Sequence, residues 1–384
     1  MDGVGSGRID QFKGEMKKTF LFYLGHPAHW HNVKIVCEGL HEKGHRVVLV
    51  AREKDVLFKL LEGVPYDIEM LPARKRSSKL GTVINVLGRE KQMLKIAKRY
   101  KPELMIGTDI VIAHVGKLLG IPSIILNEDD AVAVPLFAKY GFPYCTVALA
   151  PKSTDVGTFA EKHIQYPGYH ELAYLHPKHF EVDDELVREL ISSKGPHFII
   201  RAASLTAHHD HGRTGIDDKL VKKIIEILSP HGKVIITAER ELGPELEPYR
   251  MSFHPKHMHH VLAKASIYIG DSQTMTAEAA VLGVPSIRFN DFVGELGYLE
   301  ELEHRFGLTK GIRTDQQQLL LDTIAHFLTA EHRKDLQQKR RIMLNEMIDV
   351  AAFFEWFFVN FPNSMDEYRR NEQLWINADP VEQG

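Results

Sequence analysis

Short apolar runs alternate along the chain with longer segments in which apolar residues recur every three or four positions. In the first half, apolar runs predict buried strands at 19–24, 47–51, 68–71, 104–106, 123–126 and 144–150. The helical period between them predicts helices at 33–43, 54–61, 83–100 and 112–119. Because the strands are apolar throughout and alternate with helices, they indicate a parallel sheet covered on both faces.

The pattern breaks near residues 151–182, which are rich in Pro, His, Tyr and Gly and show no sustained period. A second alternating series follows, with strands predicted at 197–200, 233–237, 266–269 and 286–289 and helices at 217–228, 258–264 and 275–282. A chain of 384 residues is too long for one compact core.

We therefore predict two Rossmann-like α/β domains, at 17–165 and 196–348, joined by a connection at 166–195. A polar, Gly-rich leader at 1–16 is predicted to be disordered, and a helical segment at 349–384 follows the second domain. Two such domains face a cleft, with ligands at the carboxyl ends of the strands.

Composition narrows the classes of function. Apolar residues make up 44% and charged residues 26% of the chain, as is usual for soluble globular proteins. The net charge of −3 argues against general nucleic-acid binding. Cys37 and Cys145 lie inside apolar segments, which excludes a disulfide framework and a zinc site and fits a reducing cytoplasm. No apolar run is long enough to span a bilayer.

The stretch GDSQTMTAEAAVLGVPSIRFN at 270–290 combines the end of a strand, a tight turn, a helix and a new strand. Gly283 ends the helix and Pro285 prevents its continuation. The exposed N–H groups at the helix N-terminus suit an anion such as a phosphate. Glu278, the first acid inside this helix, could accept two hydrogen bonds from a vicinal diol. The alternative is a solvated glutamate on a surface helix.

The segment GHPAHWHNVKIVCEGLHEKGHRVVLVARE at 25–53 resembles the first strand, loop and helix of GT-B glycosyltransferases. It is similar to the N-acetylglucosaminyltransferase family that completes lipid II, whose loop histidine falls on His29. Of the family's loop glycines, this chain keeps only Gly25. The resemblance implies that His29 removes the proton of the acceptor hydroxyl. His26 and His31 compete for this role, and His29 could instead bind a phosphate or cap the following helix.

The stretch at 270–290 also resembles the non-hydrolysing UDP-N-acetylglucosamine 2-epimerases, and the two patterns align without a gap. The residues that match are Asp271, Ser272, Glu278, Ala279, Leu282, Gly283 and Pro285, whereas Gln273 and Thr274 replace two glycines. The resemblance implies that Ser272 and the following N–H groups, through Met275, hold the diphosphate and that Glu278 binds the ribose hydroxyls. As a whole, the chain resembles an uncharacterised bacterial and archaeal family with the same layout.

No Asp-x-Asp occurs, so the usual carboxylate clamp for a metal-bound nucleotide sugar is missing. A metal-free site needs basic residues instead, and we expect Arg201, near the small residue Ser204, and Arg288 to face the phosphates. The alternative for Arg201 is a surface ion pair. The histidine-rich runs 208–211 and 254–260 fit no standard zinc spacing and are interpreted as solvated loops. We predict no metal and no cofactor, with the UDP-sugar as substrate.

Two acidic segments follow the fourth and fifth predicted strands, at 107–109 and 127–131. They resemble the positions of two epimerase active-site carboxylates, which implies catalytic roles for Asp109 and Glu128. Burial would raise the pKa of such carboxyls and suit them to acid and base chemistry. The segment at 127–131 could equally cap a helix, because acidic residues favour that position. The Gly-Thr-Arg-Pro-Glu signature that follows the first epimerase strand is absent.

The basic run ARKRSSK at 73–79 leads into apolar residues up to 88. We interpret it as a solvated loop. In the lipid-linked transferases that the chain resembles, this region faces acceptor and membrane, so the alternative for 73–88 is peripheral contact with anionic lipid or a polyprenyl phosphate. The GT-B layout also implies that the aromatic run at 351–361 packs back on the first domain.

The sequence thus predicts a GT-B α/β fold that binds a UDP-sugar and an unknown acceptor, for which a lipid-linked molecule is one candidate. The activity that we expect is metal-independent glycosyl transfer in surface-polysaccharide or glycolipid assembly. The alternatives are a nucleotide-sugar 2-epimerase or hydrolase, and a non-catalytic nucleotide-sugar-binding protein. Fold alone does not choose among these functions.

Overall fold

The computed structural model describes residues 17–53, 55–72, 79–193, 195–202 and 215–376. Its strands form two sheets, and every strand pairing within them is parallel. The first sheet has the order β3-β2-β1-β4-β5-β6-β7. Its strands are β1 (Thr19–Leu24), β2 (Arg46–Arg52), β3 (Asp67–Leu71), β4 (Leu104–Gly107), β5 (Ser123–Leu126), β6 (Val147–Pro151) and β7 (His163–Tyr166).

Helices cover both faces of this sheet and then lead to the second one. In the first half they are α1 (Pro27–Glu42), α2 (Asp55–Leu61), α3 (Lys79–Tyr100), α4 (Ile110–Leu119) and α5 (Pro135–Gly141). Between the sheets lie α6 (Leu172–Leu175) and α7 (Asp184–Ile191), and a 3₁₀ turn spans Gly157–Lys162.

The second sheet has the order β12-β11-β10-β8-β9. Its strands are β8 (His197–Ala202), β9 (Lys233–Ala238), β10 (Ile267–Gly270), β11 (Ser286–Phe289) and β12 (Thr309–Ile312). The helices of this half are α8 (Asp218–Leu228), α9 (Met258–Ala263), α10 (Gln273–Leu282), α11 (Gly297–Glu300), α12 (Gln317–Phe327), α13 (Ala330–Glu346), α14 (Val350–Val359) and α15 (Asn363–Ile376). Single 3₁₀ turns lie at Ser229–His231, Glu247–Tyr249 and Pro255–His257, and a π-helical turn at Glu301–Arg305.

The predicted fold class, two parallel α/β sheets of GT-B type, is confirmed. The strands predicted at 19–24, 123–126 and 286–289 have the predicted bounds. Helix α1 begins at Pro27 rather than at residue 33, because proline suits the first helical position and His26 caps the Ala28 N–H. Strands β7 and β12 were not predicted, since four residues of mixed polarity carry little periodic signal.

The C-terminal helix α14 returns to the first domain, as predicted, and packs against α1 and α6. The Phe358 ring lies 6.1 Å from that of Phe22 in β1, and the Lys18 ammonium donates to the Val359 carbonyl at 2.5 Å. Glu355 forms an ion pair of 2.6 Å with Lys43 at the end of α1. The predicted leader at 1–16 and residues 377–384 lie outside the described residues.

The two halves also meet beside the cleft. Helix α6, from the connection, packs against α1 of the first half and α10 of the second. The Asp130 carboxylate, after β5, accepts the Gly297 N–H at 2.6 Å and the Asp155 N–H at 2.6 Å. The segments that follow β5 and β11 therefore meet at a shared junction. Within the described ranges, no helix is both long enough and apolar enough to cross a membrane.

Candidate functional site

The N-terminus of α10 is the place where the sequence predicts a phosphate site. Ser272 is the N-cap, and its hydroxyl accepts the Met275 N–H at 3.4 Å. Residues 272–275, which include Gln273 and Thr274, are half-buried, whereas the helix beyond them is buried. Gly283 ends the helix in the left-handed region at φ 74°, where glycine is favoured. The partly exposed first turn can therefore present its N–H groups to an anion.

Two arginines flank the strand that leads into this helix. The strand register places Arg201 of β8, Gly270 of β10 and Arg288 of β11 side by side. The residues that alternate with them, such as Ile200 and Ile269, pack in the core formed with α8 and α12. Both arginines therefore project from the opposite face of the sheet, which α10 covers.

In both guanidinium groups, some nitrogens have no hydrogen-bond acceptor within the described part of the chain. Arg288 is only 1% exposed, and its Nη2 donates to Glu300 Oε1 at 2.9 Å. Arg201 forms an ion pair with Glu239. Among the described residues, nothing accepts from Arg288 Nε and Nη1 or from Arg201 Nε, although all three atoms are buried. Buried donors without a partner are unfavourable, so this arrangement suits an anion.

Glu278, two turns into α10, lies in a buried polar cluster at the junction of the two domains. It is 4% exposed, so the alternative of a solvated surface glutamate does not hold. Its Oε1 atom accepts from the Tyr174 hydroxyl at 2.9 Å and is 2.9 Å from His259 Nε2. Tyr174 belongs to α6 and His259 to α9, so three elements converge on one carboxylate oxygen.

Residues of α1 complete this cluster. The His31 ring lies 4.6 Å from the His259 ring and 5.3 Å from the Tyr174 ring. Burial, and then the nearby His259, lower the pKa of His31 well below its usual range, so that its imidazole is neutral. The Lys34 ammonium lies 5.8 Å from the centre of the Tyr174 ring. The Glu278 carboxyl group thus lies close to the hydroxyl of Tyr174 and the ring of His259, and the Lys34 ammonium lies near the same cluster.

Glu128, directly after β5, contacts a histidine in the connection between the domains. Its Oε2 atom lies 2.8 Å from His170 Nδ1, which is also 3.2 Å from the Asn32 amide nitrogen. Burial, and then the charge of Asp129, raise the pKa of Glu128 to about 8. Burial lowers the pKa of His170 to about 4. At neutral pH, a protonated Glu128 therefore donates to a neutral imidazole, and the contact is not an ion pair.

Glu171 follows His170 and is 1% exposed. Burial, and then the charge of Glu128, raise the pKa of the Glu171 carboxyl well above its usual range. Across the described part of the chain, Glu128 Oε1, Glu171 Oε2 and His170 Nε2 are buried without a hydrogen-bond partner. Such a group of unsatisfied polar atoms is unusual in a protein interior and marks a place for water or a ligand.

The three loop histidines have different surroundings. His26 is exposed and caps α1 by accepting the Ala28 N–H at 3.3 Å. His31 belongs to the buried cluster. His29 is half-buried in the first turn of α1, and its Nδ1 accepts the Gly25 N–H at 3.1 Å. The Thr108 hydroxyl, after β4, lies 2.7 Å from Nδ1 and 2.9 Å from Nε2 of His29. Because Nδ1 accepts a backbone N–H, the neutral ring carries its proton on Nε2.

Asp109 has a local structural role. It caps α4 by accepting the Val111 N–H at 3.0 Å, and its other oxygen lies 2.5 Å from Arg89 Nη1. Arg89 also donates to the Tyr23 hydroxyl at 3.2 Å. The helix cap at Asp109 was not predicted, since the sequence suggested a cap only for 127–131, and Glu128 is the carboxyl that reaches the junction.

The other predicted site residues divide in two groups. Asp271 is 3% exposed and accepts the Ile216 N–H at 3.4 Å, while its carbonyl accepts from Asn290 at 2.9 Å. This carboxylate is therefore turned into the second domain. Ser204 and the histidine run 208–211 lie outside the described residues. No group of three potential ligands that could hold a metal ion occurs in the described portion of the chain.

Sequence reasoning missed His170, Glu171, Tyr174 and His259. The first three lie in the segment without a period, where no pattern marks a buried face. His259 belongs to the histidine run that we interpreted as solvated. A buried Tyr-Glu-His contact between elements distant in sequence leaves no local signal.

The comparisons with known proteins agree with this geometry. Residues 23–349 match the model of the family described as "Protein of unknown function (DUF354)". The chain belongs to the DUF354 family. A search of the curated proteins found no sequence match.

Several solved structures are similar to this DUF354 protein over nearly their whole length. S. aureus MnaA in complex with UDP is 11% identical, with a TM-score of 0.64 over 92% of this chain and 97% of that one. The UDP-GlcNAc 2-epimerase from Neisseria meningitidis bound to UDP-GlcNAc is 12% identical, with a TM-score of 0.60 over 91% and 100%. CalG4, the calicheamicin glycosyltransferase, is 14% identical, with a TM-score of 0.57 over 90% and 99%. At such identities, these similarities establish the GT-B fold.

Proposed function

We propose that this DUF354 protein is a metal-independent, UDP-sugar-dependent glycosyltransferase. The observation that carries the proposal is a pair of arginines, Arg201 and Arg288, whose buried nitrogens have no acceptor among the described residues and which flank the strand leading into α10. A diphosphate carries the charge that both features attract, because a helix N-terminus adds about half a unit of positive charge and directed N–H donors. Structures of similar fold hold UDP and UDP-GlcNAc, which supports this choice of ligand.

In this proposal, binding and leaving-group stabilisation use the same residues. The N–H groups after Ser272 and the guanidinium groups of Arg201 and Arg288 bind the diphosphate, and Glu278 binds the ribose. When the bond from the anomeric carbon to the diphosphate oxygen breaks, negative charge develops on the departing UDP. Fixed donors at that position stabilise the charge without a metal ion.

The proton of the acceptor hydroxyl goes to Glu128 in this mechanism. A carboxyl with a pKa of about 8 is partly ionised near neutral pH and is a much stronger base than an ordinary glutamate. His29 is the second candidate. Its Nδ1 lone pair already accepts the Gly25 N–H, so the ring acts as a donor in the described state. It is therefore better suited to contact a substrate oxygen.

For the acceptor, we propose a lipid-linked molecule in surface-polysaccharide or glycolipid assembly. Helix α3 follows the basic run at 73–79 and exposes Ile84 and Leu87, at 61% and 58%. Apolar side chains beside basic residues are suited to the surface of an anionic membrane. Residues 73–78 of the predicted contact region lie outside the described residues.

The test is incubation of the purified protein with a panel of UDP-sugars, with and without a lipid extract. We expect UDP release and a glycosylated lipid only when both substrates are present. Failure of the folded protein to bind any UDP-sugar would refute the proposal. Binding of a UDP-sugar without any product would support a non-catalytic binding protein instead.

A second candidate, UDP-sugar 2-epimerisation, is favoured by the half-buried carboxyl group of Glu128 and the buried one of Glu171. Once the first of these two carboxyls ionises, the pair holds one base and one acid, as epimerisation through loss and return of UDP requires. This reaction needs no acceptor. Incubation of UDP-GlcNAc with the protein in D₂O distinguishes the two, because an epimerase would introduce deuterium at C2 without any lipid.

A further inference from the structure

Resting on the proposed function, we propose that Tyr174 and His259 are positioning residues that fix Glu278 for recognition of the nucleotide ribose. The three side chains form one contact between α6, α9 and α10. Neither Tyr174 nor His259 touches the nucleotide in this proposal. Both act through Glu278, and the property that they determine is selectivity for a ribonucleotide over a 2′-deoxyribonucleotide.

The hydrogen-bond geometry leaves one carboxylate oxygen for a ligand. The Tyr174 hydroxyl and His259 Nε2 both meet Oε1 of Glu278, each at 2.9 Å. The carboxylate is thereby held in one orientation, and Oε2 remains for ligand hydroxyls. The Glu278 side chain retains 6% of its surface, which is enough for contact at one edge.

Burial makes this arrangement rigid. Tyr174, His259 and Glu278 are 1%, 5% and 4% exposed, so water does not easily replace a lost donor. Hydrogen bonds from buried donors to a carboxylate are among the stronger ones in proteins. Without the Tyr174 hydroxyl, the carboxylate can rotate, and Oε2 no longer keeps a fixed position relative to a diol.

Tyr174 reaches Glu278 from outside the domain that contains Glu278. Tyr174 lies in α6, which belongs to the connection between the two sheets and packs against both α1 and α10. The orientation of Glu278 therefore depends on a residue outside the second sheet and its helices. An isolated second domain would lack this donor.

The experiment is calorimetric titration of the full-length protein with UDP, 2′-deoxy-UDP and pyrophosphate. Tyr174→Phe removes only the donor hydroxyl. Tyr169→Phe is the matched control, because the buried Tyr169 also donates to a glutamate of the second half, Glu301, at 2.8 Å. His259→Gln retains an N–H donor, whereas His259→Leu does not.

In the wild type we expect UDP to bind about tenfold more tightly than 2′-deoxy-UDP, the effect of one hydrogen bond to a charged group. Tyr174→Phe and His259→Leu should bring this ratio close to one and leave pyrophosphate affinity unchanged. Tyr169→Phe and His259→Gln should preserve the ratio. A merely structural role would weaken all three ligands together.

The outcomes separate this inference from the proposed function. If Tyr174→Phe leaves the ratio of UDP affinity to 2′-deoxy-UDP affinity at its wild-type value, the positioning role is overturned. Binding of UDP by the wild type would still support the nucleotide site in that case. Binding of neither UDP nor pyrophosphate by the wild type would overturn the proposed function. Should Tyr174→Phe fail to fold, the pair His259→Leu and His259→Gln makes the same comparison, and equal ratios in that pair would overturn the inference.

Discussion

Replacing Glu128 with glutamine should make the stability of this protein less dependent on pH. Burial raises the pKa of this carboxyl to about 8, against an ordinary value of 4.5. Between these two values, the folded chain keeps a proton that the unfolded chain releases. The stability contribution of the group is therefore complete below pH 4.5 and is lost as pH rises through 8.

The magnitude follows from the difference between the two pKa values. At about 1.4 kcal/mol for each tenfold change in proton affinity, the wild type loses at most about 5 kcal/mol between pH 4.5 and pH 8. For domains of this size, 1 kcal/mol corresponds to about 2–4 °C in Tm. The glutamine side chain of Glu128→Gln would be neutral at every pH, and its amide can donate to His170 Nδ1 as the protonated carboxyl does.

The assay is calorimetric Tm measurement at pH 5, 6, 7 and 8 for the wild type and Glu128→Gln. We expect the two proteins to have similar Tm values at pH 5, and the variant to be several degrees more stable at pH 8. Glu226→Gln, on the exposed face of α8, is the control and should follow the wild type throughout. Parallel Tm curves for wild type and Glu128→Gln would refute the assignment of a half-buried, protonated Glu128.

Three further predictions concern catalysis, ribose binding and folding. Glu128→Gln should lower turnover by about 10²–10⁴-fold with little change in UDP affinity, and wild-type turnover should rise with pH through about 8 as the base ionises. His29→Ala should lower turnover less than Glu128→Gln does. Steady-state kinetics combined with a nucleotide titration measures these effects, and a larger loss of turnover in His29→Ala would contradict the assignment of Glu128 as the base. Glu278→Ala should weaken the binding of UDP by about 1.5–3 kcal/mol and the binding of pyrophosphate by less. Equal UDP affinities of the wild type and Glu278→Ala in a calorimetric titration would exclude the ribose contact. Deleting all residues after Asp349 removes the packing of α14 on α1 and the aromatic contact of Phe358 with Phe22 in β1. The truncated chain should therefore lose solubility or melt at a lower temperature, and an unchanged Tm would argue against this packing.

The sequence predicts well those features that have a local cause. Apolar runs located most strands, and Gly283 and Pro285 placed the C-terminal end of α10 because helix breakers act within a few residues. The N-terminal end was predicted two residues late, because the cap at Ser272 was not predicted. Arg288 was a minor candidate, because nothing local shows that a strand arginine will be fully buried with two of its own nitrogens unsatisfied.

Features that depend on the packing of distant elements were not predictable. Glu278 is held by Tyr174 of α6 and His259 of α9, which are far from it in sequence. His170 and Glu171 lie in an irregular segment, and the contacts of His170 are with Asn32 of α1, Glu128 after β5 and Phe354 of α14, which are distant in sequence. Their desolvation, and therefore the raised pKa of the neighbouring carboxyls, is a property of the assembled junction.

The central claim is that a nucleoside diphosphate binds at the N-terminus of α10 between Arg201 and Arg288. Its most direct test is the affinity of UDP for the wild type and for Arg288→Met, measured by calorimetry. The surface variant Arg305→Met, which removes a half-exposed ion pair with Glu301, is the control. We predict that Arg288→Met weakens the binding of UDP by about 1.5–3 kcal/mol, roughly 10- to 100-fold in affinity, whereas Arg305→Met leaves UDP affinity unchanged. Equal UDP affinities for the wild type and a folded Arg288→Met, or no UDP binding by the wild type, would contradict the account.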